Sequence, residues 1–227
     1  MKKCFLAISL SLLTLVGFSQ SLSQVSLTGA TTLASYSFIT SENVIIRLTP
    51  DGSIIDWGTE LEPGRMGYYE GKLLPYAGRV SYYGEEADEA YRGKVRSIGS
   101  ANITYYGASM PAEQKGKVKS IGSQQFDYYM NYDNESFRGK LKTAGNTSFT
   151  YFGSYDNESF RGKLKSAGNT SITYYSVFDD KLNKGKIKSI GSVSFSWYNE
   201  FDKKELQGAM KTGSTMQKIN GVVYKVW

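Results

Sequence analysis

Apolar and polar residues alternate with period two through most of this chain, the pattern of strands with one buried face. From Gly162 onward, Leu164 and Ser166 alternate with Lys163 and Lys165; after Gly168-Asn169, Ile172 and Tyr174 alternate with Thr173 and Tyr175. Two short strands around Gly-Asn read as a β-hairpin, because both turn residues tolerate positive φ. Pairing Leu164 with Tyr174 and Ser166 with Ile172 places these side chains on one face and Lys163, Lys165, Thr173 and Tyr175 on the other. The unit recurs: Gly93, Gly116, Gly139, Gly162, Gly185 and Gly208 are spaced 23 residues apart. Tyr132 to Lys142 returns unchanged as Tyr155 to Lys165. A fixed period of this size marks a repeat architecture, in which each unit packs mainly on its neighbours.

The repeat divides the chain. Residues 93–207 hold five hairpin units, and 51–92 hold worn copies in which Tyr68-Tyr69 and Tyr82-Tyr83 echo the later aromatic pairs. Residues 20–50 read as N-terminal lead-in or cap strands, with Val44 to Leu48 the clearest and Thr49-Pro50-Asp51-Gly52 a turn. Residues 208–227 read as C-terminal capping strands. The expected fold is all-β, an antiparallel meander of repeated β-hairpins forming a long, twisted single sheet of about 12 to 14 strands. A parallel solenoid of the same period would stack equivalent lysines about 4.8 Å apart and repel. The meander separates them by two strands.

Residues 1–19 change the picture of where the protein works. Met1-Lys2-Lys3, an apolar run and the small residues around Ser19 read as a signal peptide, its apolar run shorter than the roughly 20 residues of a membrane span. Its removal would take away Cys4, the only cysteine, and lower the formal net charge of +6 by two. That leaves a chain stabilised without disulfides and too mildly basic to imply nucleic acid. No transmembrane helix is expected in the mature chain. With 18 Tyr, 11 Phe and 3 Trp but only four Pro, the composition is that of a folded protein.

Tyr151-Phe152-Gly153-Ser154-Tyr155, followed by Gly162 and Tyr174, resembles the spacing of MORN repeats, β-hairpin units of similar length. Leu164 stands where that family has a second Gly, and Met130 and Ser176 stand at the Gly153 position of neighbouring copies. Tyr155-Asp156 with Arg161-Gly162-Lys163-Leu164 and Gly168-Asn169 also resembles the YD repeats of large exported shell proteins. Either resemblance covers residues 60–227. Both imply a meandering sheet used as a scaffold or binding surface, and neither implies a reaction.

Candidate chemistry is narrowed first by what is missing. The chain has no His and loses its Cys with the signal, which excludes Ser-His-Asp and Cys-His sites and ordinary zinc centres. Glu85, Glu86, Asp88 and Glu89 form one acidic cluster that would suit glycoside hydrolysis only if two carboxylates faced each other across a cleft; a solvated loop explains them more simply. The acidic turns Asp133-Asn134-Glu135 and Asp156-Asn157-Glu158 contain oxygen ligands of the kind calcium takes, and ordinary turn capping by Asp and Asn accounts for them. No cofactor or metal is expected.

The remaining candidate is a surface of cations and aromatics comprising Lys94, Arg96, Tyr106, Lys117, Lys119, Tyr129, Lys140, Lys142, Phe152, Lys163, Lys165, Tyr175, Lys186, Lys188 and Tyr198. Flat rings beside ammonium groups suit a glycan, an acidic polymer or another envelope protein; the alternative is lysine stems covering the rings for solubility. Tyr105, Tyr128, Tyr151, Tyr174 and Trp197 are expected in the core. The reading is a non-catalytic exported scaffold or interaction protein, periplasmic, cell-surface or extracellular. A small outer-membrane β-barrel is the main rival, supported by the terminal Val222 to Trp227 segment. Alternating runs of six or seven residues fall short of the roughly 9 to 11 that a spanning strand needs. A glycan-active enzyme is the weaker alternative.

Overall fold

A computed structural model describes residues 21–60 and 71–227. The expected signal segment and Tyr68-Tyr69 lie outside the described residues. Those described form strands and turns, with no helix.

The first five strands are β1 (Ser21–Thr28), β2 (Thr32–Ile39), β3 (Ile45–Leu48), β4 (Ile54–Glu60) and β5 (Leu73–Pro75). The meander follows: β6 (Val80–Tyr82), β7 (Val95–Ile98), β8 (Ala101–Tyr105), β9 (Val118–Ile121), β10 (Gln124–Tyr128), β11 (Leu141–Ala144) and β12 (Thr147–Tyr151). It continues through β13 (Leu164–Ala167), β14 (Thr170–Tyr174), β15 (Ile187–Ile190) and β16 (Val193–Ser194). After a break at Phe195 come β17 (Ser196–Trp197) and β18 (Met210–Thr212), then β19 (Met216–Ile219) and β20 (Val222–Val226).

Strands β6 to β16 form one 11-stranded antiparallel sheet in strict chain order, and β17–β18 prolong it as a separate pair. This is the expected meander, and it is open: β6 and β16 are its two edges. The other strands make a second, 7-stranded sheet in the order β19-β20-β1-β2-β3-β4-β5. The last strand, β20, pairs in parallel with β1, so the first and last described strands lie side by side in one sheet. This sheet lies across the inner face of the meander, where the expected cap would have stood at an end. Phe38 meets Phe126 edge to face at 4.9 Å, and Tyr36 meets Phe149 at 4.5 Å. One continuous core results, joining Val25, Leu27, Ile46 and Tyr224 of the covering sheet to Ile103, Phe126, Phe149, Ile172 and Phe195 of the repeats.

The hairpin register differs from the expected one by a residue. Ala167 opposes Thr170 and Ser166 opposes Ser171, because Gly168-Asn169 forms a two-residue turn with Gly168 at φ 55°. Strict alternation would then expose Leu164. A bulge at Lys165 prevents this: Tyr151 opposes Leu164 and Thr150 opposes Ser166, leaving Lys165 as the extra residue. Leu164 and Ala167 therefore both point inward, while Ser166 turns outward and bonds Thr150 Oγ1 at 2.6 Å. The same shift occurs in the neighbouring units. Ser166, expected on the apolar face, thus lies on the other one, as do Ser120, bonded to Thr104, and Ser189, bonded to Thr173.

Candidate functional site

At each strand start beside the bulge, an aromatic side chain bonds the backbone. Tyr105, Tyr128, Tyr151 and Tyr174 donate their hydroxyls to the carbonyls of Val95, Val118, Leu141 and Leu164 at 2.7–3.0 Å. Trp197 does the same through Nε1 to Ile187 at 2.8 Å. These five rings are buried, as expected, and burial pushes the hydroxyls of Tyr105, Tyr128, Tyr151 and Tyr174 well above the ordinary tyrosine range. On the covering sheet, backbone acceptors complete the set: Val118 N–H bonds Gly52, Leu141 N–H bonds Pro50 and Ile187 N–H bonds Ala30.

The fifteen expected surface residues separate into two groups. Lys117, Lys140, Lys163 and Lys186 run along the repeat axis and donate Nζ to the carbonyls of Gly139, Gly162, Gly185 and Gly208 at 2.5–2.6 Å. Lys94 makes the equivalent bond to Gly116. Their ammonium groups stand 5.0–5.3 Å from the buried rings of Tyr105, Tyr128, Tyr151, Tyr174 and Trp197. Burial lowers the pKa of all five. These lysines tie each unit to the next and belong to the framework.

The second group remains on the outer face. Lys119, Lys142, Lys165 and Lys188 place Nζ 5.3–5.8 Å from the rings of Tyr106, Tyr129, Phe152 and Tyr175. Arg96 over Tyr83 begins this row, and Lys211 over Tyr198 ends it. Between the cations stand the exposed hydroxyls of Thr104, Thr150 and Thr173 and, at the equivalent position between Lys119 and Lys142, the carboxylate of Asp127, which accepts from Gln114 Nε2 at 3.0 Å. The outer tyrosines are held from beneath: Tyr106, Tyr129 and Tyr175 donate to the carbonyls of Phe126, Phe149 and Phe195 at 2.9 Å. The row is a series of fixed rings, each carrying a cation.

The acidic residues serve as loop fastenings. Asp88 accepts from Ala90 N–H at 2.8 Å and Ala108 N–H at 3.0 Å, and these bonds hold its carboxyl below the usual range. Glu89 pairs with Lys115 at 3.2 Å, while Glu85 and Glu86 are exposed. Asn134 and Asn157 act as Asp88 does, each capping its own turn and accepting an N–H from the next loop. Among the described residues, no group of three His, Cys, Asp or Glu side chains is placed to hold a metal ion, and no helix is long and apolar enough to cross a membrane.

Four exposed aromatics lie outside the expected surface. Tyr132, Tyr155, Phe178 and Phe201 are 79%, 100%, 92% and 88% exposed, one per unit at the tips of successive loops. The 23-residue period itself was their signal, since equivalent apolar residues outside a strand have no sheet face to bury them. No family model, curated protein or solved structure matches this chain.

Proposed function

We propose that the protein is a non-catalytic, exported β-repeat scaffold of the cell envelope or extracellular space, binding a linear acidic polymer along its outer sheet face. The observation that carries this reading is the row from Arg96 to Lys211, with one cation over a fixed aromatic ring in each hairpin. Equivalent positions lie two strands apart, roughly 9.6 Å by the usual strand spacing. Such a line of charge suits an extended polyanion better than a compact ligand, because each cation adds a small, similar contribution. The rings add flat apolar area beside each charge, as glycan recognition needs. Export rests on the Met1 to Ser19 pattern, and use as a scaffold agrees with the resemblance to MORN and YD repeats. Strands of four or five residues in an open sheet favour this reading over the outer-membrane barrel.

Binding of the signal-free protein to hyaluronan, with neutral dextran as control, tests the proposal. Hyaluronan binding should weaken steeply with added salt, and the triple change Lys119→Gln, Lys142→Gln, Lys165→Gln should reduce it at least tenfold without altering Tm by more than a few degrees. Equal affinity of the triple variant, or depolymerisation of hyaluronan that Glu85→Gln and Glu86→Gln abolish, would overturn it.

A further inference from the structure

Tyr132, Tyr155, Phe178 and Phe201 stand on a different surface from the lysine row. Each occupies the tip of the loop between hairpins, followed by an Asp that clamps the turn. Asp133, Asp156, Asp179 and Asp202 accept the N–H of Met130, Gly153, Ser176 and Asn199 at 2.6–2.7 Å. Ring and clamp occur together. In the two preceding copies Ser109 and Glu86 replace the ring, and Met110 and Ala87 replace the Asp.

A second set of bonds fixes one tip relative to the next. Asn134 accepts from Ser154 N–H at 3.1 Å, Asn157 from Val177 N–H at 3.3 Å and Asp180 from Glu200 N–H at 3.2 Å. Ser154, Val177 and Glu200 are the residues immediately before Tyr155, Phe178 and Phe201. The rings are thus carried on a hydrogen-bonded edge whose step is two strands, roughly 9.6 Å. No two of these four rings pair with each other. They are separate platforms with polar intervals, unlike the contiguous apolar centre of a protein interface. Two nearby ion pairs are closed on themselves, Glu158 with Lys184 at 2.8 Å and Lys181 with Glu200, and the clamp carboxylates leave the edge weakly acidic, which disfavours a polyanion there.

From this geometry we infer that the loop edge is a stacking rail for a neutral, extended β-1,4-linked polysaccharide. In such a chain alternate sugars turn the same apolar face to one side, and the distance between them is close to the spacing of these rings. Each ring then takes every second sugar, and the hydroxyl edges of the intervening sugars meet the polar intervals. Because a twisted sheet rotates each ring relative to the last, a single soluble chain can follow the rail, whereas a flat crystalline face cannot. Preorganisation by the Asp clamps and Asn bridges keeps the ordering cost of binding low.

Calorimetric titration of the signal-free protein with cello- and chito-oligosaccharides of two to eight sugars tests this inference. Affinity should rise with length until about eight sugars span four rings, and Tyr155→Ala and Phe178→Ala should each weaken the longest ligand roughly two- to tenfold, the range of an aromatic contact. The lysine triple variant should bind these ligands as the unchanged protein does, so failure of the acidic-polymer reading leaves this test intact. Absence of binding, affinity independent of chain length, or indifference to both ring variants would overturn the inference. So would concentration-dependent dimerisation, or binding to phosphatidylcholine vesicles, lost in Tyr155→Ala while the sugars fail to bind.

Discussion

At the scale of the residue, hydroxyl positions account for much of the order. Tyr83, Tyr106, Tyr129 and Tyr175 each donate to a backbone carbonyl twenty residues ahead. Phe152 occupies the same position and has no hydroxyl to donate; its counterpart carbonyl is that of Ile172. Replacing Phe152 with Tyr should therefore add a hydrogen bond worth about 0.5–1.5 kcal/mol and raise Tm by roughly 1 to 5 °C. An unchanged or lower Tm in thermal unfolding would contradict the account of the outer tyrosines. The sequence showed which aromatics face outward but not that their tips serve the backbone, since the carbonyls they reach belong to a later unit.

At the scale of the element, the glycine that phases the repeat has two duties. Gly162 adopts φ +73°, and an added Cβ would stand 2.7 Å from the carbonyl oxygen of Ser136 in the preceding loop. Gly93 has nearly the same φ of +74° but no atom within 4 Å of the added Cβ. Gly93→Ala should therefore cost only left-handed strain, about 1–2 kcal/mol, while Gly162→Ala should cost at least about 1 kcal/mol more from the forced separation of loops. Denaturant unfolding of the two variants compares them directly, and equal losses would show that the loop approach is unimportant. The hairpins were legible from alternation and the Gly-led turn. Their one-residue register and the bulge were not, because Ser166 is compatible with either face and only the cross-strand hydroxyl of Thr150 settles its direction.

At the scale of the whole molecule, the covering sheet makes the repeats unequal. Leu141 and Ile187 bond different turns of that sheet, Pro50 and Ala30, and Tyr36 Oη lies 2.9 Å from that of Tyr151. The shared core also sets the response to alkali. Burial raises the pKa of Tyr36, Tyr105, Tyr128, Tyr151 and Tyr174 above the ordinary 10.0, so the folded chain holds those protons longer than the unfolded one. Their contribution is complete below pH 10 and is lost as pH rises above it. The lysines whose pKa lies below 10.5 act in the opposite sense, but their effect stops growing once the unfolded ammonium groups deprotonate near 10.5. Stability should therefore fall above about pH 10.5, with the tyrosinate absorbance of the buried rings appearing together with loss of strand circular dichroism. Ionisation of the buried tyrosines before unfolding would argue against this core.

The sequence by itself determined the period, the hairpins, the antiparallel order and the inward set of Tyr105, Tyr128, Tyr151, Tyr174 and Trp197. These follow from alternation and turn chemistry, which act between residues close in the chain. Tertiary structure decided what covers the inner face, since β1 to β5 precede the regular repeats and β19–β20 follow them, and they carry at most worn copies of the repeat to announce their position. It also decided that Lys163 bonds Gly185 while Lys165 stays in solvent, because Lys163 precedes the strand and Lys165 is the extra residue of its bulge. The exposed rings at Tyr155 and Phe178 belong to that second class: their type and spacing are written in the chain, but whether an aromatic is buried depends on what packs over it.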